Sequence, residues 1–105
     1  MIVKLVINGA GNPAGKLADA ELHFDDGPLA GLKLVGFGVW EQRTGRRNVV
    51  TFPARSYTIN GERRSFALLR PLVDGQASDR QASDRLRDLI LDAYAQHENT
   101  RIEVK

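Results

Sequence analysis

Apolar and polar residues alternate through the first two-thirds of the chain and recur at helical spacing in the last third. Met1–Asn8 is an apolar run interrupted by Lys4, and it predicts a strand that ends at the turn-forming Gly9–Gly15 stretch. In Leu17–Asp25, Ala18, Ala20, Leu22 and Phe24 share one side, and Asp19, Glu21, His23 and Asp25 share the other. That is the pattern of a half-buried strand, and Asp26-Gly27-Pro28 closes it. Leu29–Trp40 is long and apolar enough to be a central strand. Its Gly36 and Gly38 leave a bare strip on which a helix, another backbone or a ligand can lie. Asn48–Phe52 opens a further strand, which must bend, bulge or lie at an edge at Pro53 because proline donates no ladder hydrogen bond.

Val49–Leu72 predicts two strands joined by a tight turn at Asn60-Gly61, since both residues tolerate the positive φ of a type I′ turn. With a two-residue loop, Ile59 faces Glu62, Tyr57 faces Arg64 and Arg55 faces Phe66, all on one side of the ribbon. Ser56, Thr58, Arg63 and Ser65 take the other side. Prolines 53 and 71 flank the ribbon, so its outer part is expected to project from the main sheet.

In the C-terminal third, Ala82, Leu86, Leu89, Ile90, Ala93, Tyr94 and His97 fall on one helical face, which predicts a helix over 76–98 that covers the sheet. Residues 99–105 read as a short strand or tail. The pentapeptide Gln76–Arg80 recurs unchanged at Gln81–Arg85. A five-residue step turns a helix by about 140° per copy, so the copies share no face and lengthen the helix entry instead. Ser78 or Ser83 is the expected N-cap. The fold class that follows is α+β within one domain, 1–105. It comprises an antiparallel sheet of four to five strands, the projecting hairpin 49–72, and one C-terminal helix packed on the sheet.

Charge changes this picture. The net charge of +2 is small, yet residues 43–70 hold seven arginines and only Glu62, whereas 1–42 and 71–105 each carry two more acids than bases. Arg43, Arg46, Arg47, Arg55, Arg63, Arg64 and Arg70 thus form a concentrated basic segment of the kind that attracts phosphates. Rings interleaved with arginines on a β-ribbon suit a nucleic acid, and the plain alternative is a hairpin kept soluble by charge. On the helix, Asp84, Asp88 and Asp92 form a stripe that repels phosphate. A polyanion would therefore meet only its N-terminal end.

Other chemistry finds little support. Without cysteine the chain has no disulfide, thiolate metal site or cysteine nucleophile, in keeping with a cytoplasmic setting. The Met1–Ile7 run is too short to span a bilayer. Gly11–Lys16 superficially resembles a phosphate loop, but the spacing is one residue short and Leu17 stands where a hydroxyl would hold magnesium, so it reads as a strand connection. Asp19, Glu21, His23 and Asp25 sit about 7 Å apart along a strand, which makes a solvent face rather than a metal site. His23 and His97 lie on different elements and no catalytic spacing occurs, so no enzyme is expected.

Taken in order, LADAELHFDD, GLKLVGF, NVVTFPAR, the Asn-Gly turn, ERRSFALLRPL and LRDLILDAY resemble the stage V sporulation protein G family, the septation-protein regulators, over nearly residues 1–97. The resemblance implies a small bacterial regulator that binds DNA and RNA, dimerises through its sheet and uses no cofactor. It places binding on Arg55 after the proline, Arg64 after the turn and Arg85 at the helix start. The chain departs from the family pattern at Arg70-Pro71-Leu72, at Ser56, where a second base is common, and in the duplicated pentapeptide. Together with the charge pattern, this makes Arg55, Tyr57, Arg63, Arg64 and Arg85 the candidate contacts, extended by Arg43, Arg46 and Arg47. An alternative expectation is a protein-interaction module that docks an acidic partner or extends its sheet.

Overall fold

The computed structural model describes residues 1–10, 13–42, 47–72 and 77–103, with backbone alone for 77–79 and 98–103. Four strands form an antiparallel sheet in sequence order: β1 (Ile2–Ile7), β2 (Lys16–His23), β3 (Lys33–Trp40) and β4 (Val49–Thr51). A separate two-stranded sheet follows, made of β5 (Ala54–Ile59) and β6 (Glu62–Ala67), and helix α1 (Ala77–Glu103) ends the fold. The fold is the expected α+β arrangement, with the single helix packed on the four-stranded sheet.

Alternation fixes which face is buried. Ala18, Ala20 and Leu22 of β2, Phe37 and Val39 of β3 and Val50 of β4 are buried with Ile90 of α1, while Val3, Leu5 and Ile7 of β1 pack at their margin. Phe37 meets Phe52 edge to face, with ring centroids 5.5 Å apart. The opposite side of the sheet is left to Ile2, Lys4 and Val6, to Asp19, Glu21 and His23, and to Val49. Here Glu21 accepts hydrogen bonds from His23 (2.8 Å) and Lys33 (3.3 Å). The His23 bond, and then Lys33, hold the Glu21 carboxyl below its usual range against the opposing effect of desolvation. Among the described residues no cluster could hold a metal ion. Of Gly11–Lys16, Gly11 and Asn12 lie outside the described residues, Pro13–Gly15 lie between β1 and β2, and Lys16 opens β2, so a strand stands where a phosphate loop needs a helix.

The glycine strip of β3 is filled by the chain itself. A register irregularity falls between the pairs Ala20↔Phe37 and Leu22↔Leu34, where β3 carries one residue more than β2, and Gly36 lies in that bulge with φ +110°. A Cβ on Gly36 would stand 2.9 Å from the Pro53 Cβ and 3.4 Å from its Cα. Gly38 lies beneath the hydrogen bond that Trp40 Nε1 donates to Thr51 Oγ1 (3.0 Å). Backbone and side chains of β4 and its exit, not a helix or ligand groove, occupy the strip. Gly36→Ala is expected to cost about 1–3 kcal/mol, because both the positive φ and the Pro53 backbone resist it. A urea-denaturation midpoint measures the loss, and an unchanged midpoint contradicts it.

The helix departs from expectation in three respects. It begins at Ala77, so both Ser78 and Ser83 lie inside it and neither is its N-cap. It continues to Glu103, where the sequence pattern predicts a short strand or tail from residue 99. Its buried stripe is also shifted in part: Leu86, Ile90, Ala93, Tyr94 and His97 are shielded as expected and Ser83, Arg87 and Leu91 join them, whereas Ala82 and Leu89 are exposed. Apolar residues at 86, 89, 90 and 91 cover more than half a turn, so the period alone did not choose between Leu89 and Leu91.

Candidate nucleic-acid interface

The hairpin forms in the register its turn dictates. Asn60 (φ 52°) and Gly61 (φ 77°) both lie in the left-handed region, and the pairs run from Ala54↔Ala67 through Arg55↔Phe66 and Tyr57↔Arg64 to Ile59↔Glu62. At the base, the Leu68 amide donates to the Pro53 carbonyl (3.0 Å). All twelve strand residues are exposed. The radius of gyration, 15.6 Å, exceeds the value of about 13 Å for a compact chain of this length, to which both the hairpin and the 27-residue helix contribute.

Arginines occupy both sides of this arm. Arg55 and Arg64 share a face with Tyr57, Ile59 and Phe66, and Arg63 points to the other face with Ser56, Thr58 and Ser65. Among the described residues neither Arg55 nor Arg63 meets a carboxylate. Arg64 reaches Glu62 at 3.3 Å with both groups in solvent, where such a pair contributes little. Beyond the strand end, the Arg70 guanidinium lies 5.1 Å from the centroid of the Phe66 ring. Exposed apolar groups also line the arm: Tyr57, Ile59, Phe66 and Leu68.

The remaining arginines of the basic segment behave differently. Arg47 donates to Asp88 of α1 (2.9 Å) and approaches Asp92 (3.9 Å), so it ties the entry of β4 to the helix instead of joining the hairpin. Arg87 pairs with Asp84 (3.0 Å) and lies over the Phe52 ring at 4.9 Å. The acidic stripe of the helix is thus occupied by arginines of the same chain. Arg85 is exposed nine residues into α1, more than two turns from its start, so the expected place at the helix start does not hold. Arg43 and Arg46 lie outside the described residues. Between the hairpin base and α1, Phe52, Leu69 and Leu86 line a small apolar pocket of about 130 Å³ with Arg70 at its edge.

Neither a family model, a curated protein nor a solved structure matches the chain. Its own geometry therefore carries the functional reading. Two parts of that geometry were not foreseen: the Arg47 link to α1, which spans 41 positions, and the Arg70–Phe66 contact across a strand end. The only hint of the first was the i, i+4 row of aspartates, which needed an arginine from elsewhere in the chain. Among the described residues no helix is long and apolar enough to cross a membrane.

Proposed function

We propose that this chain is a non-enzymatic nucleic-acid-binding regulator that grips DNA or RNA with its β5–β6 hairpin. The observation that carries the reading is the exposed arm itself, on which Arg55, Arg63 and Arg64 flank Tyr57 and Phe66 with Glu62 as its single acid. A polyanion recovers the electrostatic benefit of these arginines, and release of its counterions drives association. Tyr57 adds a ring on which a base or sugar can stack. Arg85 is a secondary contact, while Arg47, already held by Asp88, contributes less. The resemblance to the stage V sporulation protein G family supports the same reading and places it in the bacterial cytoplasm. It also favours a homodimer formed through the sheet. The sheet face turned away from α1 exposes Ile2, Val6 and Val49, which a second copy would cover.

Fluorescence-anisotropy titration of labelled duplex DNA, single-stranded DNA and RNA at low salt tests the proposal. Saturable binding to at least one is expected, and no association with any of them overturns it. One observation favours a second reading. Among the described residues the hairpin pairs with no third strand, which leaves open edges to which a partner's strand can add. A protein-interaction module of that kind binds random nucleic acid weakly and loses its acidic partner in an Arg63→Glu, Arg64→Glu variant.

A further inference from the structure

The spacing of the two rings on the arm bears on which nucleic acid it takes, an inference that rests on the nucleic-acid reading above. Tyr57 faces Arg64 and Phe66 faces Arg55, so the two residues are diagonal neighbours on one face of the ribbon, their Cα atoms about 7–8 Å apart at that register. Both are open to solvent, Tyr57 at 39% and Phe66 at 46% exposure. Exposed rings side by side contribute nothing to the core, yet each has guanidinium groups beside it: Arg64 opposite Tyr57, and Arg55 and Arg70 around Phe66. This is the combination of stacking platform and phosphate contact that suits a nucleotide chain.

The spacing of the two platform positions along the ribbon then discriminates between strands. Successive bases in a duplex rise about 3.4 Å and cover each other's faces, so neither ring can reach a π face without breaking the stack. A single strand can spread two neighbouring bases to about double that rise and lay one on each platform. At the second platform the Arg70 guanidinium already lies over the Phe66 ring. An incoming base stacks on that plane or on the ring's open side. We propose that the hairpin is selective for single-stranded nucleic acid, with Tyr57 and Phe66 each stacking one base and Arg55, Arg63 and Arg64 contacting the intervening and flanking phosphates.

Anisotropy titrations of the intact chain with four probes of equal phosphate count test this: single-stranded DNA, single-stranded RNA, duplex DNA, and a DNA strand whose central nucleotides are abasic. The DNA and RNA arms distinguish the two sources of a single strand. At least one of them is expected to bind about tenfold or more tighter than both the duplex and the abasic strand, because stacking on one ring alone is worth about that factor. The variant Tyr57→Leu, Phe66→Leu keeps every charge and lies wholly on the exposed arm. It should lose about tenfold or more for the preferred single strand and about twofold or less for the duplex, with an unchanged circular-dichroism spectrum. Duplex binding as tight as single-strand binding, or equal binding of abasic and intact strands, overturns the selectivity while leaving the nucleic-acid reading in place. Absence of binding to all four overturns both.

Discussion

Reversing the charge of Arg63 and Arg64 together, in an Arg63→Glu, Arg64→Glu variant, is expected to weaken nucleic-acid binding about a hundredfold or more at low salt. Each lost contact between a charged donor and a phosphate is worth about 1.5–3 kcal/mol, and every 1.4 kcal/mol is a factor of ten. The glutamates add repulsion beyond that loss. Both residues lie on the exposed hairpin and neither supports the core, so stability should stay within about 0.5 kcal/mol. Arg47→Ala provides the internal comparison. It removes a positive charge from the same basic segment, but one that already sits on Asp88 and Asp92, and its effect on affinity should be smaller than that of Arg63→Ala, whose guanidinium meets no carboxylate among the described residues. Equal affinities for the double variant and the native chain would return the hairpin arginines to the role of solubilising charge.

The second large effect concerns the core. Phe37→Ala is expected to destabilise the chain by about 3–5 kcal/mol, since it removes a fully buried ring. Domains of this kind have only about 5–15 kcal/mol of net stability, so the variant should be close to unfolding. The ring does more than fill space: it holds Phe52 edge-on, and Phe52 in turn lies beneath Arg87 of α1. Its loss therefore loosens the docking of the helix as well as the sheet. Urea denaturation followed by circular dichroism measures the change, with Val35→Ala as the exposed control expected within about 0.5 kcal/mol. A shift below about 1 kcal/mol for Phe37→Ala would contradict this description of the core.

What could be read from the chain alone was whatever short-range rules control. Asn60-Gly61 admits one tight turn, and with it the pairing of Tyr57 with Arg64 and Arg55 with Phe66 follows residue by residue. The alternation in β2 likewise reveals which side of the sheet is buried, because a strand has only two faces. Pro53 marked the end of β4, and the structure uses that break to send the chain out as a separate ribbon. The helix was less legible. Several apolar residues within one turn permit more than one docking, and the choice of Ile90 with Leu91 over Leu89 depends on sheet residues far away in sequence. The candidate site divides the same way. Its hairpin arginines were visible as a charge run, but nothing local distinguished Arg47, which turns inward to the helix aspartates, from Arg55 and Arg63, which do not. The filling of the glycine strip by Pro53 was similarly a long-range outcome.

Two consequences follow for how the molecule works. The aspartate stripe of α1 does not confront an incoming polyanion as three bare charges, because Arg87 and Arg47 are bound to it. The proposed binding also need not deform the core, since β5 and β6 contribute none of the seven buried core residues among those described. Affinity and stability should therefore vary independently across hairpin and core variants.

The salt dependence of binding tests the central claim most directly. If the arm and its neighbours neutralise about five phosphates, log K for duplex DNA should fall with log salt at a slope of roughly −4 to −5, and the Arg63→Glu, Arg64→Glu variant should be shallower by about 2. A slope near zero for the native chain, or one unaffected by reversing the two hairpin arginines, would contradict it.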